Sequence, residues 1–413
     1  MPAATLKPLT LAVLSDLHVG RGARARDFSP YPDHSTADSD YKTDFLRFVR
    51  KQKLGADYLI VPGDASHQGQ PDELALASRI ILDCAEVLGV KPANILFVPG
   101  NHDADWTVFE YPDATGFRRE QRYAPLRNDA WVFEQVIRRA DAHMLDPHYA
   151  SVWEYKNLVA VGYNSAWDDD SIKGVHHGLI ANDHIDNLVD RIRVLDLSAK
   201  RLRLFLVHHH PIVYSDPVPD EPDFSAMTNA PRLLEVLRTF HFDFVIHGHR
   251  HCPVFQTISV DADYPLAILC AGSFSAELDR RWSGLVNNQF HLVTVEGRDA
   301  LTNQAFGNVR SWTYLTKHGW IPSREHNGIR HIHPFGTYIQ PDELVRVLAP
   351  VIEKALATAD YVLWASLEGQ LPKLKYLPPK AIDRALRELS RALNFTFHDA
   401  TSGLILLKEE PGP

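Results

Sequence analysis

Five short apolar runs, each ending in a polar cluster, constrain the fold of this 413-residue chain more than any other feature. Residues 9–15 lead into Asp16-Leu17-His18, and 58–62 lead into Gly63-Asp64. Residues 94–99 lead into Gly100-Asn101-His102-Asp103, 202–207 into His208-His209-His210-Pro211, and 242–247 into Gly248-His249-Arg250-His251. Apolar runs of this length, bounded by turn formers, read as buried strands. The C-terminal ends of such strands are where open α/β sheets bind ligands. The pattern therefore predicts five strands that bring Asp, His and Asn side chains to one rim.

The segments between the runs have helical periodicity. Residues 43–54 place Phe45, Phe48 and Val49 on one face, with Thr43 as N-cap and Gly55 as stop. Residues 71–89 start on Pro71 and align Leu74, Ala77, Ile81 and Ala85. Strand, helix, strand is a β-α-β progression, so a largely parallel α/β arrangement follows. Residues 152–163 read as two short strands, and 181–194 as a further helix.

The five clusters, in this order, resemble the signature of the calcineurin-like metallophosphoesterases: D-x-H, G-D, G-N-H-[DE], a His after a strand, and G-H-x-H. The likeness spans roughly residues 8–300. It implies a four-layer αββα sandwich in which strands within 253–275 and 287–296 complete a second sheet against the first. It also implies a dinuclear centre of two metal ions, among Mn²⁺, Fe²⁺/Fe³⁺ and Zn²⁺. Carried over by motif, Asp16, His18 and His251 would hold one ion, Asn101, His208 and His249 the other, and Asp64 would bridge. His102 would be the catalytic general acid, oriented by Asp103. Arg21, His209 and Asn164 are candidate substrate contacts.

The residue types suit that chemistry. Hydrolysing a phosphate ester at neutral pH needs activated hydroxide and a sink for charge, and two close divalent ions supply both. A bridging ligand with two oxygens and a negative charge is a carboxylate; imidazoles and amide oxygens fill the other positions. Residues two apart on an extended segment face the same side, which fits D-x-H and H-x-H. Asp168-Asp169-Asp170 reads instead as a solvated turn.

The form His-His-His-Pro is most similar to the branch that contains class III cyclic-nucleotide phosphodiesterases, so a phosphodiesterase is the leading expectation. That branch also contains phosphomonoesterases. A metal-dependent nuclease is the alternative, because DNA-repair relatives share the five blocks. A catalytically silent binding module on the same scaffold is a third reading. A formal net charge of −9 disfavours non-specific nucleic-acid binding, although a local basic surface can exist on an acidic chain.

Three scattered cysteines do not make a disulfide framework, and no signal sequence or spanning segment is evident, so a cytoplasmic location is expected. The domain reading is 1–300 for the metallophosphoesterase domain, with a helical cap insertion at about 104–150 containing a helix at 128–145. Residues 301–340 would connect to a small C-terminal α+β unit at 341–413. There, Leu344, Val347, Leu348, Val351 and Leu356 are available for burial on a first helix. Residues 361–367 form a second apolar segment. A helix follows Pro378-Pro379, with Ile382, Leu386, Leu389 and Leu393 aligned, and a hairpin closes the chain. The leading reading is an α+β appendage for homo-oligomer or partner contact; helices followed by a hairpin leave a winged-helix-like module as the alternative.

Overall fold

The computed structural model describes residues 6–20, 41–109, 121–128, 149–169, 177–214, 225–258, 264–276, 286–315, 318–324, 328–400 and 403–409. Most of the expected cap, its helix at 128–145, Asp170, and the loop carrying Arg21 lie outside the described residues. Two compact units emerge: Met1–Arg298 with Val309–Ile332, and Asp299–Asn308 with His333–Pro413.

The first unit holds two sheets in a mixed α/β architecture. In one sheet, β1 (Leu9–Val13), β2 (Tyr58–Val61) and β3 (Ile95–Phe97) run parallel. The other has the order β4 (Ala150–Glu154), β5 (Leu158–Tyr163), β6 (Leu202–Val207), β7 (Phe244–His247), β9 (Leu266–Cys270), β8 (Val254–Ile258). Its strands β5, β6, β7 and β9 are parallel. β1, β2, β3, β5, β6, β7 and β9 are buried almost throughout, on both faces. That explains why each reads as an apolar run rather than an alternating one.

The helices are amphipathic, as their spacing predicts. α1 (Tyr41–Gln52) buries Tyr41, Phe45 and Val49, and α2 (Pro71–Val87) buries Leu74, Ala77, Ile81 and Ala85. α1 begins at Tyr41, so Thr43 is inside the helix and not its cap. Tyr41 is held by ring contacts to Phe274 and Tyr314, which extend the helix past the cap signal. α3 covers Ala124–Asn128 among the described residues. α4 (Asn182–Ile192) and α5 (Ala230–Thr239) pack Ile185, Leu188, Leu233 and Leu237 on one face of the second sheet, against Val159, Val161, Phe205 and Val207. The intervening residues of β5 face the other way: a side chain at Gly162 would strike Val98, which follows β3, and Trp153.

One strand departs from expectation. β10 (Gln289–Arg298) joins the first sheet, antiparallel to β1 in the register Leu9↔Val295, while β8 and β9 join the second. The free edge of β1 needs a partner, and β10 supplies it. β11 (Ala305–Leu315), β12 (Gly319–Pro322) and β13 (Ile332–Phe335) follow, so residues 301–340 contain strands. Asp168 and Asp169 do not form a solvated turn. The Asp168 carboxylate is 8% exposed and 3.7 Å from His184 Nδ1, and Asp169 is buried.

Two fully buried imidazoles sit in these sheets. His291 lies between Ser311 Oγ and the Ala271 carbonyl, both at 2.8 Å. His247 lies between Tyr214 Oη at 2.7 Å and the Gly248 carbonyl at 3.0 Å. In each, one N–H donates to the carbonyl and the other nitrogen accepts from a hydroxyl, which is the neutral ring. Burial holds His291 down to about 4 and His247 down to about 3, from an ordinary value of 6.5. The unfolded chain therefore takes up these protons first. Stability is fully present above about pH 6.5 and falls as pH drops from there toward about 4. Urea unfolding of chelated protein at stepped pH should show a falling midpoint across that window; a flat profile would contradict the neutral assignment.

The second unit has its own core. α6 (Pro341–Thr358) buries Leu344, Leu348, Ile352 and Leu356, while Val347 is 37% exposed. Val347 thus falls off the buried stripe, and Ile352 takes its place. The segment 361–367 divides into β14 (Tyr361–Leu363) and α7 (Trp364–Gln370). α8 (Pro379–Leu393) buries Ala385, Leu386 and Leu389. β15 (Phe395–Ala400) and β16 (Gly403–Lys408) form the hairpin. β14 pairs antiparallel with β16, giving the order β14-β16-β15.

Candidate metal centre

The five polar clusters follow the C-terminal ends of β1, β2, β3, β6 and β7, so the rim is built from both sheets. Hydrogen bonds tie the loops together. His18 N donates to Asp64 O at 2.9 Å, His249 N to Asp16 Oδ1 at 3.1 Å, and Gly248 N to His208 O at 3.1 Å. Glycines are needed where loops meet: a side chain at Gly100 would collide with the Asp64 carboxylate, and one at Gly63, whose φ is +98°, with the His208 ring.

Three groups of ligand-type atoms form there; one of them, His18, His67 and His102, shares His18 with the first of the two groups that match the expected ligand sets. Asp16, His18 and His251 have theirs within 4.8 Å of one another, and so do Asp64, His208 and His249. Asn101 joins the second group, its Oδ1 3.1 Å from His249 Nδ1. Asp64 Oδ2 lies 3.5 Å from His18 Nε2 and 3.1 Å from His208 Nε2, so one carboxylate oxygen faces both groups. Asp16, His18, Asp64, His249 and His251 all have φ between 49° and 70°. That left-handed backbone is uncommon outside glycine and concentrates at functional sites.

The donor set fits divalent cations. Burial, then the neighbouring imidazoles, holds His18 and His249 well below the usual histidine range, so both rings are neutral and able to act as ligands. His18 Nε2 is buried with no hydrogen-bond partner among the described residues, and a cation would satisfy it. Burial alone would raise Asp64, but the charge and hydrogen bond of His208, itself pushed up against burial to about 9 by Asp64, hold the carboxylate ionised; a cation bound here would take the place of the His208 proton. Burial drives Asp16 in the opposite direction, up to about 7. Positive charge between these carboxylates would ionise both. Outside the ligand set, His208 Nδ1 bonds the Pro62 carbonyl at 2.8 Å and His251 Nδ1 bonds Ser273 Oγ; such partners fix ring orientation.

His102 sits beside the groups, its ring 4.5 Å from that of His18. Its Nδ1 lies 2.7 Å from the His67 carbonyl, and the His67 ring stacks on it at 5.4 Å and 23°. The Asp103 carboxylate does not orient His102. It accepts from Ser66 N at 2.8 Å, Ser66 Oγ at 3.0 Å and Gly100 N at 2.9 Å, bracing the loop instead. Asn101–Asp103 form a single 3₁₀ turn, on which neighbouring side chains point about 120° apart, so sequence adjacency did not predict the contact. His67 itself was missed, although it falls three residues after Asp64 in the same loop.

The remaining candidates divide. His209 is buried, with Nδ1 2.8 Å from Ser165 Oγ and its ring 4.3 Å from that of His249. Asn164 Oδ1 accepts from Ala166 N in its own loop at 3.1 Å and from Tyr123 Oη at 3.4 Å. Arg21 lies outside the described residues. Beyond the cluster, Trp106 Nε1 donates to the Asn101 carbonyl at 2.7 Å, and the buried Arg122 guanidinium lies 4.7 Å over the Trp106 ring.

The family model for calcineurin-like phosphoesterases matches residues 9–253, more than half of the chain and all five clusters. The chain belongs to the calcineurin-like phosphoesterase family. Phosphoester hydrolysis in this family depends on a dinuclear metal centre, and the two groups described above are where this calcineurin-like phosphoesterase can hold one.

Solved structures match this chain at low identity. Purple acid phosphatase PPD1 from yellow lupin (Lupinus luteus) seeds is 11% identical, over 76% of this chain and 52% of that one, with TM-score 0.42. The match thus spans about half of the lupin protein's length. Phosphopantetheinyl hydrolase (PptH) from Mycobacterium tuberculosis is 15% identical, over 66% and 91% of the two chains, with TM-score 0.35. Calcineurin-like phosphoesterase YfkN from Bacillus subtilis is 13% identical, over 73% and 88%, with TM-score 0.36. No curated protein sequence matches this chain. Among the described residues, no helix is long and apolar enough to cross a membrane.

Proposed function

We propose that this phosphoesterase is a two-metal phosphodiesterase, with Asp16, His18 and His251 holding one ion, Asn101, His208 and His249 the other, and Asp64 shared. The observation that carries the reading is the Asp64 carboxylate oxygen, which faces His18 on one side and His208 on the other. Bound ions, among Mn²⁺, iron and Zn²⁺, would supply an activated water nucleophile and a positive clamp on the phosphoryl oxygens. The chain's own residues do the rest. Asp64 and Asp16 set the charge of the site. His102 donates a proton from Nε2 to the departing alkoxide, with Nδ1–H held on the His67 carbonyl. Asp103 keeps the Gly100–Asp103 turn rigid, so that Asn101 and His102 keep their places. The preference for diesters, with nucleotides among the candidate substrates, is supported by the His208-His209-His210-Pro211 form.

Chelated protein, assayed with and without Mn²⁺ on a nitrophenyl phosphodiester and on the monoester of the same nitrophenol, tests this. Mn²⁺-dependent cleavage that favours the diester is the expected result. Preference for the monoester would overturn the diester assignment. Inactivity on both esters with every divalent metal would overturn the enzyme reading.

A further inference from the structure

The C-terminal unit has the element order helix, strand, helix, helix, hairpin, with the lone strand β14 paired to the far strand of the hairpin, β16. This is the arrangement of a winged helix. Within it, α8 is the helix that leads into the hairpin, and its polar face is distinctive.

Lys380, Arg384, Arg387 and Arg391 are all exposed. Their spacing of four, three and four residues places them within about 60° of one another on a helix of 3.6 residues per turn. The buried residues Ala385, Leu386 and Leu389 occupy the opposite side. α8 is therefore docked by one face and presents a straight basic stripe on the other. The stripe is roughly 16 Å long at 1.5 Å per residue. Asp383 and Glu388 flank it. Asp383 pairs with Arg387 at 2.8 Å, leaving Lys380, Arg384 and Arg391 without a carboxylate partner among the described residues. The chain's net charge of −9 makes such a stripe a local feature rather than a consequence of bulk composition.

We propose that the C-terminal unit binds duplex DNA, with α8 in the major groove and the Lys380-Arg384-Arg387-Arg391 stripe turned to the DNA. The B-form major groove is about 12 Å wide and admits an α-helix, whereas that of an RNA duplex is too narrow for side chains to read. The fit is one of charge and shape. A row of cations meets two walls of phosphates, and arginine's planar fork can donate in pairs to phosphate oxygens or to guanine O6 and N7. The proposal does not rest on the diesterase reading of the metal centre.

Fluorescence anisotropy of the full-length chain tests it, with a labelled DNA duplex two helical turns long. EDTA is present throughout, so that cleavage cannot confound binding. The observed affinity should fall log-linearly with salt over roughly 50–200 mM. The double variant Arg384→Ala/Arg391→Ala should bind about tenfold or more weakly, with a salt slope shallower by about 0.9 per removed cation. Both side chains are exposed, and an unchanged circular-dichroism melt would confirm that the variant folds. Arg191→Ala/Arg193→Ala, an exposed pair at the C-terminal end of α4 in the first unit, should leave binding within about twofold. Any of several results would overturn the proposal: no binding at low salt, equal loss in both double variants, or tighter binding of an RNA duplex of the same sequence. So would sedimentation showing a dimer that the stripe variant abolishes while DNA binding is absent, which would assign the face to a second copy of the chain.

Discussion

Asp64→Asn is expected to lower kcat on the nitrophenyl diester on the order of 10³-fold, about 4 kcal/mol of transition-state stabilisation. The substitution keeps the shape of the side chain and its Oδ1, which accepts from His102 N at 2.8 Å. What it removes is the charge that faces His18 and His208 together. Both candidate ion positions lose a ligand at once, so metal content should fall from two ions per chain to one or none. The thermal melt of the chelated variant should stay close to that of the chelated parent, because the loop contacts survive. Activity within about tenfold of the parent, a small part of the expected loss, would show that Asp64 is not shared between the groups.

His102→Gln should separate leaving groups. Nitrophenolate departs without a proton, whereas an alkoxide needs one. A general acid of this kind is typically worth about 10²–10⁴ in rate. The variant should therefore lose about that factor on an alkyl phosphodiester and only a few-fold on the nitrophenyl ester, with metal content unchanged. Paired kcat measurements on the two esters read this directly. Equal loss on both would assign His102 to binding or to metal retention instead of proton transfer. Because the His67 carbonyl holds Nδ1, substitution of the His67 side chain should be milder: the ring stacks on His102, but the orienting atom belongs to the backbone.

Where the candidate site's residues sit was largely legible because a strand buried on both faces writes itself as an unbroken apolar run. The polar residues that follow such a run have few structural roles. Leu202–Val207 followed by His208, and Tyr58–Val61 followed by Gly63-Asp64, are of this kind. The assignment of strands to sheets was not legible. Nothing in the residues of β10 says that it pairs with β1 rather than with β9, since register and partner come from which edge is left open. Loop geometry was equally hidden. Asp103 is next to His102 in the chain but bonds Ser66 and Gly100, and the residue that holds His102 comes from the loop after β2. In the C-terminal unit, the strand of α6-β14-α7 could not be seen because three residues carry no measurable period, whereas the fifteen-residue α8 showed its buried face plainly.

The dinuclear centre itself is tested most directly by crystals soaked in Mn²⁺ and measured at the manganese absorption edge. Two anomalous peaks about 3.5–4 Å apart are expected, a separation that lets one carboxylate serve both. Asp64 should lie between them, with His18 and His251 on one side and His208 and His249 on the other. A single peak, or two peaks that do not share Asp64, would contradict the account.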